Sequence, residues 1–106
     1  MNIGVDLIEI KRFKKIKRVD YAYWKRVFSA LEWGYAFKDA SSAEHLAGMF
    51  AVKEAAMKAT GLVGVKNYRK FEITHGRNGA PKINIKGGKI SISHNQELAI
   101  AVVLVS

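Results

Sequence analysis

The first ten positions of the chain predict a buried β-strand. Five of the eight residues from Ile3 to Ile10 are apolar and fall on both faces of a strand, because successive strand residues point to opposite faces. A second apolar run, Leu98–Val105, is far shorter than the roughly 20 residues of a membrane-spanning helix. We therefore interpret both runs as buried strands and expect no membrane span.

Two shorter elements are predicted between the first strand and the middle of the chain. Lys11–Arg18 is rich in cations and is typical of a short helix or turn with a basic face. Ser29 stands three residues before Glu32, which is the spacing of a capping box and predicts a helix over Ala30–Phe37.

A longer helix has the clearest signals in the sequence. Ser41 stands three residues before Glu44, a second capping-box spacing, and Gly61 is a plausible C-terminal stop, so the helix is predicted over Ala43–Thr60. Small residues recur every four positions and allow close packing against a sheet. These residues are Ala47, Ala51, Ala55 and Ala59.

The last third of the chain changes from helical spacing to short runs typical of β-strands. Asn78-Gly79 and Gly87-Gly88 mark turns between the runs. One strand, then helices, then further strands predict a single α+β domain over residues 1–106, a mainly antiparallel sheet packed on the long helix. The predicted strands are Phe71–His75, Pro81–Lys86, Lys89–His94 and Leu98–Leu104.

The charge of the chain favours anionic partners. Eighteen Lys and Arg stand against nine Asp and Glu, a formal net charge of +9 in 106 residues. Such a charge attracts nucleic acid, anionic membranes, nucleotide-like cofactors and acidic proteins alike. The chain has no cysteine, so any metal must be held by oxygen or imidazole ligands. No secretion signal is evident at Met1–Asp6, so we expect a cytoplasmic protein.

Asp6 is the first candidate for chemistry, because a carboxylate within an apolar strand needs a partner. That partner is either a structural lysine or arginine, or a functional cation. On the long helix, Glu54 and Lys58 have the i, i+4 spacing of an ordinary surface salt bridge. If this helix approaches the strand, Asp6 and Glu54 together suit magnesium, which commonly takes one or two carboxylates plus phosphate oxygens.

Two further features have weak signals. Gly61-Leu62-Val63-Gly64 is too short for a Walker-type loop, and it is either a helix cap with a turn or a backbone contact for phosphate. His94 ends a predicted strand, where a histidine is more often a surface residue. The spacing of His45 and His75 does not indicate a metal site.

Three segments together resemble the holo-acyl-carrier-protein synthase family, the small 4′-phosphopantetheinyl transferases. They are Gly4–Ile10, Ala47–Ala59 and Ile90–His94, in the family's order and spacing. Asn78–Pro81 is similar to the family's Asn-Gly-Lys-Pro turn. The resemblance covers about residues 3–104 and implies the 4′-phosphopantetheinyl transferase-like fold.

The resemblance also implies a reaction and its residues. A carrier-protein serine attacks the β-phosphate of coenzyme A, leaving phosphopantetheine on the serine and releasing adenosine 3′,5′-bisphosphate. Asp6 and Glu54 match the residues that hold Mg²⁺ against the diphosphate. Lys58 matches the lysine that assists the leaving group, and Glu54 is a candidate to receive the serine proton.

Binding residues are implied in the same way. His94 matches a histidine near the nucleotide end of coenzyme A, and Gly61–Gly64 matches a loop near its phosphates. Arg12 matches an arginine that meets the acidic helix of the carrier. The neighbouring cations Lys11 and Lys15 favour the same role, since positive charge facing an acidic helix speeds association.

The sequence departs from the family pattern at two positions, Met49 for arginine and Ala80 for lysine. These departures favour altered phosphate or carrier contacts. The resemblance also implies an assembly: the small members of the family form homotrimers with active sites between subunits. We therefore expect this chain to self-associate.

Two alternatives remain open from sequence. One is a weakened paralogue that binds coenzyme A or carrier protein without efficient transfer. The other is a basic nucleic-acid-binding domain, motivated by aromatics such as Trp24, Trp33 and Tyr68 among the cations. It leaves Asp6 and Glu54 unexplained, so we expect no nucleic-acid partner.

Overall fold

A computed structural model describes residues 1–106 and contains two antiparallel sheets and one long helix. The larger sheet has the order β1-β5-β4, so the first and last strands of the chain are neighbours. The smaller sheet is the hairpin β2-β3. The strands are β1 (Asn2–Glu9), β2 (Ile73–His75), β3 (Pro81–Ile83), β4 (Lys89–His94) and β5 (Leu98–Val105).

The helices lie between β1 and β2 along the chain. They are α1 (Tyr21–Trp24), α2 (Ala30–Ala36) and α3 (Ser42–Thr60), with 3-10 segments at Ile10–Phe13, Arg18–Asp20 and Val65–Lys70. The α+β fold, the strand β4 and the long helix are therefore confirmed. None of the helices combines the length and the apolarity that crossing a membrane requires.

Helix α3 packs against the larger sheet through its small residues. Ala47, Ala51, Ala55 and Ala59 are all buried, which confirms the stripe. At Gly4 on β1 the backbones meet so closely that an added Cβ would lie 1.9 Å from the carbonyl oxygen of Ala55. This close approach brings the strand that contains Asp6 against the helix that contains Glu54 and Lys58.

One of the two predicted capping boxes is present. At α2 the Ser29 amide donates to Glu32 Oε1 at 2.8 Å, and the Glu32 amide donates to Ser29 Oγ at 3.2 Å. At α3 the prediction is wrong, since Ser41 makes no side-chain cap. Asp39 Oδ1 instead accepts the Ser41 amide at 2.8 Å. Gly61 ends α3 as predicted, with φ +77° and its amide bonded to Met57.

The expectation that β1 is buried on both faces is wrong for the single chain. Its inner face is covered by α3, whereas Ile3, Val5 and Leu7 on the outer face are 67%, 50% and 57% exposed. These three residues pair with Leu104, Val102 and Ile100 of β5, so the apolar surface continues onto the neighbouring strand. We call this surface, formed by those six residues, the outer sheet face.

A buried ion pair joins the helices to the small sheet. Lys53 Nζ lies 3.0 Å from Glu32 Oε1, and both side chains are fully buried. Glu32 Oε2 also accepts the amide of Ile73 on β2. Burial lowers the pKa of Lys53, although the Glu32 carboxylate opposes that change. Glu32 is thus a core residue as well as a helix cap.

Candidate active site

Asp6 lies on the inner face of β1, next to the last turns of α3. Its side chain is 15% exposed, and Lys58 Nζ lies 3.0 Å from its Oδ1. Lys58 also donates to the carbonyl oxygen of Val5 at 3.0 Å. The second carboxylate oxygen, Oδ2, is buried without a hydrogen-bond partner. Since a buried carboxylate oxygen is costly to leave unpaired, this atom is available to a cation or a donor from a ligand.

Glu54 lies one turn before Lys58 but does not pair with it. The hydroxyl of Tyr68 donates to Glu54 Oε1 at 2.5 Å, while Lys58 is paired with Asp6. The prediction of a surface salt bridge between Glu54 and Lys58, made from their i, i+4 spacing, is therefore wrong. Lys58 instead bonds a carboxylate and a carbonyl oxygen that β1 holds in place, while Glu54 is engaged by Tyr68.

The pKa of Tyr68 shows that Glu54, Arg12 and Asp6 all lie near its hydroxyl. Burial, followed by the hydrogen bond and the negative charge of Glu54, raises the pKa of Tyr68 to about 12. Arg12 lowers this pKa and Asp6 raises it, so both charges act on the same phenol. Asp6, Glu54, Lys58 and Arg12 thus surround one region between β1, α3 and the Val65–Lys70 segment.

The acidic groups suit one type of metal ion. No cluster of three or more His, Cys, Asp or Glu is arranged to hold a metal. A site enclosed by protein ligands alone is therefore not built here. Magnesium needs fewer protein ligands, since it retains waters and binds substrate phosphates. The unpaired Oδ2 of Asp6 fits this role.

The Gly61–Gly64 loop follows directly from the helix turn that carries Lys58. Gly61 and Gly64 have φ values of +77° and +109°, which favour glycine. Asn67 Nδ2 holds the loop by donating to the carbonyl of Val63 at 2.8 Å. The loop is exposed, as backbone contact with a phosphate would require.

His94 lines an open cleft at the other end of α3. The cleft has a volume of about 240 Å³ and is also lined by Met49 and by Gly79 and Pro81 of the Asn78–Pro81 turn. Both departures from the family pattern, Met49 and Ala80, therefore lie in or beside this cleft. His45 and His75 line it as well, so all three histidines of the chain meet there, which their spacing did not indicate.

The cleft has an aromatic wall. The rings of Tyr35 and His75 are stacked with centroids 3.6 Å apart. Burial lowers the pKa of His75, and the positive charges of His45 and Lys38 act in the same direction. His45 is also held by Asp39, 3.1 Å from its Nε2. Lys38 Nζ lies 4.3 Å from the centroid of the Tyr35 ring, so the wall combines flat rings with a positive charge.

The predicted carrier-binding cations lie on an exposed face. Arg12 is above the ring of Phe50 at 5.6 Å, and Phe50 is 5.3 Å from the ring of Tyr68. Lys11 pairs loosely with Glu9 at 3.4 Å, and Lys15 is exposed. The basic face therefore adjoins the region around Glu54.

Two functional features were not found from the sequence. The contact of Tyr68 with Glu54 has no signal in the sequence, because the two residues lie on different elements. The buried pair of Glu32 and Lys53 was hidden by the capping-box pattern. Trp33 is buried and Trp24 packs against the core, so these rings are not a free stacking surface for nucleic-acid bases.

Comparison with known proteins places this chain and its fold in one family. The model of the 4′-phosphopantetheinyl transferase superfamily matches residues 2–103. The holo-[acyl-carrier-protein] synthase of Caldicellulosiruptor bescii is 36% identical, covering 97% of this chain and 95% of the relative. That of Chlorobium limicola is 35% identical and covers 100% and 94%. The class of protein is thus a 4′-phosphopantetheinyl transferase.

Solved structures of holo-[acyl-carrier-protein] synthases have the same fold as this chain. The structure of Helicobacter pylori holo-[acyl-carrier-protein] synthase in complex with coenzyme A has a TM-score of 0.82 at 35% identity, covering 98% of this chain and 99% of that one. The Bacillus anthracis synthase in complex with CoA (3′,5′-ADP) has a TM-score of 0.75 at 31% identity, covering 96% and 92%. The chain therefore belongs to the holo-[acyl-carrier-protein] synthase family of these transferases, which confirms the resemblance of its three motifs.

Proposed function

We propose that this chain transfers the 4′-phosphopantetheine of coenzyme A to a serine of an apo acyl carrier protein, using Asp6, Glu54 and Lys58. The observation that supports these residues is the contact between Lys58 and Asp6 across β1 and α3 beside a buried, unpaired carboxylate oxygen. A cation next to an incomplete carboxylate site suits a diphosphate substrate.

The reaction exchanges one phosphorus–oxygen bond for another. The serine oxygen forms a bond to the β-phosphorus, and the bond from that phosphorus to the bridging oxygen breaks. Adenosine 3′,5′-bisphosphate leaves with the bridging oxygen, and the serine hydroxyl loses its proton. Catalysis therefore depends on neutralising charge on the phosphate oxygens and on accepting one proton.

Lys58 and Glu54 would divide these tasks. The Lys58 side chain is 56% exposed, so its ammonium can reach a bound phosphate while Asp6 fixes its position. Glu54 is held through Oε1 by Tyr68, which leaves its other oxygen for a proton or a ligand. Glu54 is the candidate base for the serine hydroxyl.

Asp6 and Glu54 would hold Mg²⁺, which when bound would add positive charge at the diphosphate. The buried Oδ2 of Asp6 supports this assignment. Without a bound cation, the Asp6 carboxylate would repel the diphosphate, because Lys58 balances the negative charge of Asp6 only in part.

The remaining parts of coenzyme A would contact the two ends of α3. The exposed Gly61–Gly64 loop would approach the phosphates beside Lys58, through groups other than the Gly61 amide, which already donates to Met57. His94 and its cleft would receive the nucleotide end, and the aromatic wall of Tyr35 and His75 suits the flat ring of a base.

The acidic carrier would dock on the face that contains Lys11, Arg12 and Lys15. Arg12 is close enough to Tyr68 to influence its pKa, so a carrier bound at this face would lie near Glu54. Charge complementarity would set its orientation and association rate. The cytoplasmic location expected from the sequence stays a prediction.

Self-association, with a homotrimer as the assembly, is the oligomeric part of the proposal. The outer sheet face exposes three large apolar side chains of β1. Val5 and Leu7 flank Asp6 along this strand but point to the opposite face, so a second copy would pack on the strand that carries Asp6. The occupant we favour is another copy of this chain.

A weakened paralogue is the second candidate, favoured by Met49. Met49 is buried at the cleft of His94, where the family pattern has arginine. Losing that charge would weaken nucleotide binding. This candidate predicts measurable binding of coenzyme A with little transfer.

Transfer is tested by incubating the protein with coenzyme A, Mg²⁺ and several apo carrier proteins. Mass spectrometry of the carrier would show a single phosphopantetheine increment on its serine. Glu54→Ala would abolish the increment, whereas Glu72→Ala, a change of an acidic residue outside the site, would not. Binding of coenzyme A without an increment on any carrier would favour the paralogue. Full modification by Glu54→Ala would contradict the assigned site.

A further inference from the structure

Tyr68 is held at both ends by consecutive residues of α3. Its hydroxyl donates to Glu54 Oε1 at 2.5 Å, and its carbonyl oxygen accepts a hydrogen bond from Lys53 Nζ at 3.0 Å. Lys53 is fully buried and paired with Glu32. The main chain of Tyr68 is therefore fixed to the core, while its side chain reaches the candidate site.

The phenol ring is fixed as well. It packs on Phe50 with centroids 5.3 Å apart and an interplanar angle of 31°. Phe50 lies one turn before Glu54 on the same helix, so the ring spans the helix face from which Glu54 projects. Swinging the whole side chain away from α3 would lose this packing and break the hydrogen bond.

Glu54 depends on this single contact. Tyr68 is the one group in the chain that makes a hydrogen bond to its side chain, because Lys58 is paired with Asp6. Without the hydroxyl, the carboxylate would regain the rotational freedom of an ordinary glutamate on a helix surface. With it, one oxygen is committed and the other is directed away from Tyr68.

We propose that Tyr68 is a positioning residue that orients the Glu54 carboxylate for a divalent cation. This inference rests on the proposed function, in which Glu54 is a ligand of Mg²⁺. Outer partners of metal ligands fix the ligand's orientation, and losing one typically weakens metal binding about 10- to 100-fold. A phenol suits this role because it supplies a donor without adding a negative charge that would compete with the carboxylates.

The test is Tyr68→Phe, which removes the hydroxyl and keeps the ring on Phe50. Tyr23→Phe is the matched control, because Tyr23 is exposed and its hydroxyl makes no hydrogen bond within the protein. Mn²⁺ binding to the full chain in the presence of coenzyme A is followed by electron paramagnetic resonance. The melting temperature and the Mg²⁺ dependence of transfer are measured alongside.

Tyr68→Phe is expected to weaken Mn²⁺ binding by about 10-fold or more, with little change in melting temperature. Its transfer curve would shift to higher Mg²⁺, and saturating Mg²⁺ would restore most of kcat. Tyr23→Phe would match the wild type throughout. A purely structural role would lower the melting temperature without moving the Mg²⁺ curve, and would overturn the proposal.

Measuring the effect of Tyr68→Phe in a Glu54→Gln variant shows whether Tyr68 acts on the metal through Glu54. If Tyr68 acts through Glu54, adding Tyr68→Phe to Glu54→Gln would change Mn²⁺ binding far less than it does in the wild type. Equal Mn²⁺ affinity for wild type and Tyr68→Phe would overturn the role of Tyr68 and leave the proposed function intact. A wild type that binds no Mn²⁺ would overturn the metal site and the role of Tyr68 together.

Discussion

Gly4 and Ala55 meet backbone to backbone, so closely that a methyl group on Gly4 would lie 1.9 Å from the carbonyl oxygen of Ala55. The obstructing atoms belong to a helix backbone and cannot rotate away. Gly4→Ala is therefore expected to push β1 from α3 and destabilise the fold by at least about 2 kcal/mol, within or above the usual range for overpacking. Denaturant unfolding measures this loss.

Gly34→Ala is the control for that substitution. Gly34 lies inside α2, and a Cβ there would meet nothing within 4 Å. Alanine at an open helical position gains up to about 1 kcal/mol over glycine. Equal effects of the two substitutions would contradict the close approach of β1 and α3.

Asp6→Asn is expected to reduce transfer by at least about 100-fold, as loss of a charged group at a phosphate-transfer centre does. Stability should change little, because Lys58 is more than half exposed and such pairs contribute at most about 1 kcal/mol. Steady-state kinetics and the melting temperature check the two parts. Glu9→Gln, which removes an exposed charge from the same strand, should leave both unchanged.

Lys53→Met should be among the most destabilising changes outside the site. It leaves Glu32 fully buried without its cation, and breaking such a pair costs about 3–5 kcal/mol. Adding Glu32→Gln removes the unpaired charge, which costs more than the one amide hydrogen bond that is lost, because the glutamine oxygen can still accept from Ser29 or Ile73. The double variant should therefore be more stable than Lys53→Met, as measured by denaturant unfolding. Lower stability of the double variant would contradict the charge argument.

Tyr68 is expected to ionise later than an ordinary tyrosine in an alkaline titration. Its pKa is raised to about 12 in the folded protein, against 10.0 without the fold. The unfolded chain therefore loses this proton first, so the stability contributed by Tyr68 is complete below about pH 10 and is lost as the pH rises towards 12. Ultraviolet absorbance should show one late tyrosinate that Tyr68→Phe removes. A titration unchanged by that substitution would contradict the shift.

Val5→Lys should dissociate the proposed oligomer. It places a charge at the centre of the outer sheet face, where Val5 is 50% exposed in the single chain. Light scattering after size exclusion would show a smaller species, and transfer should fall if the site needs a neighbour. Leu31→Lys is the control, because Leu31 is equally apolar and 68% exposed but lies on α2. A wild type that is monomeric and fully active would contradict the proposal.

Short-range sequence signals, namely residue spacing and cap residues, correctly predicted the helices α2 and α3. The Ala stripe and Gly61 gave α3 and its end, and Ser29 with Glu32 gave the start of α2. Ser41 and Glu44 had the same spacing without the same result, because Asp39 accepts the Ser41 amide. A spacing rule does not reveal such a competing acceptor.

The sequence pattern proposes residues for the candidate site, which stay a prediction, but it does not reveal the contacts among them. Lys58 pairs with Asp6 rather than Glu54 because β1 brings a fixed carboxylate to it from far along the chain. The exposure of Val5 was missed because hydrophobic patterns do not distinguish a core face from an interface. Tyr68 depends on a 3-10 segment that no periodicity marked.

The pairing of β1 with β5 has a consequence for how the protein is made. Asp6 lies opposite Ala101, so the strand that carries it can pair only after the residues up to Ala101 have been synthesised. Strands that are far apart in sequence pair slowly. An apolar strand that is not yet paired makes a nascent chain prone to aggregation. Until β5 emerges, β1 has no partner strand, and its apolar residues Ile3, Val5 and Leu7 are exposed to other nascent chains.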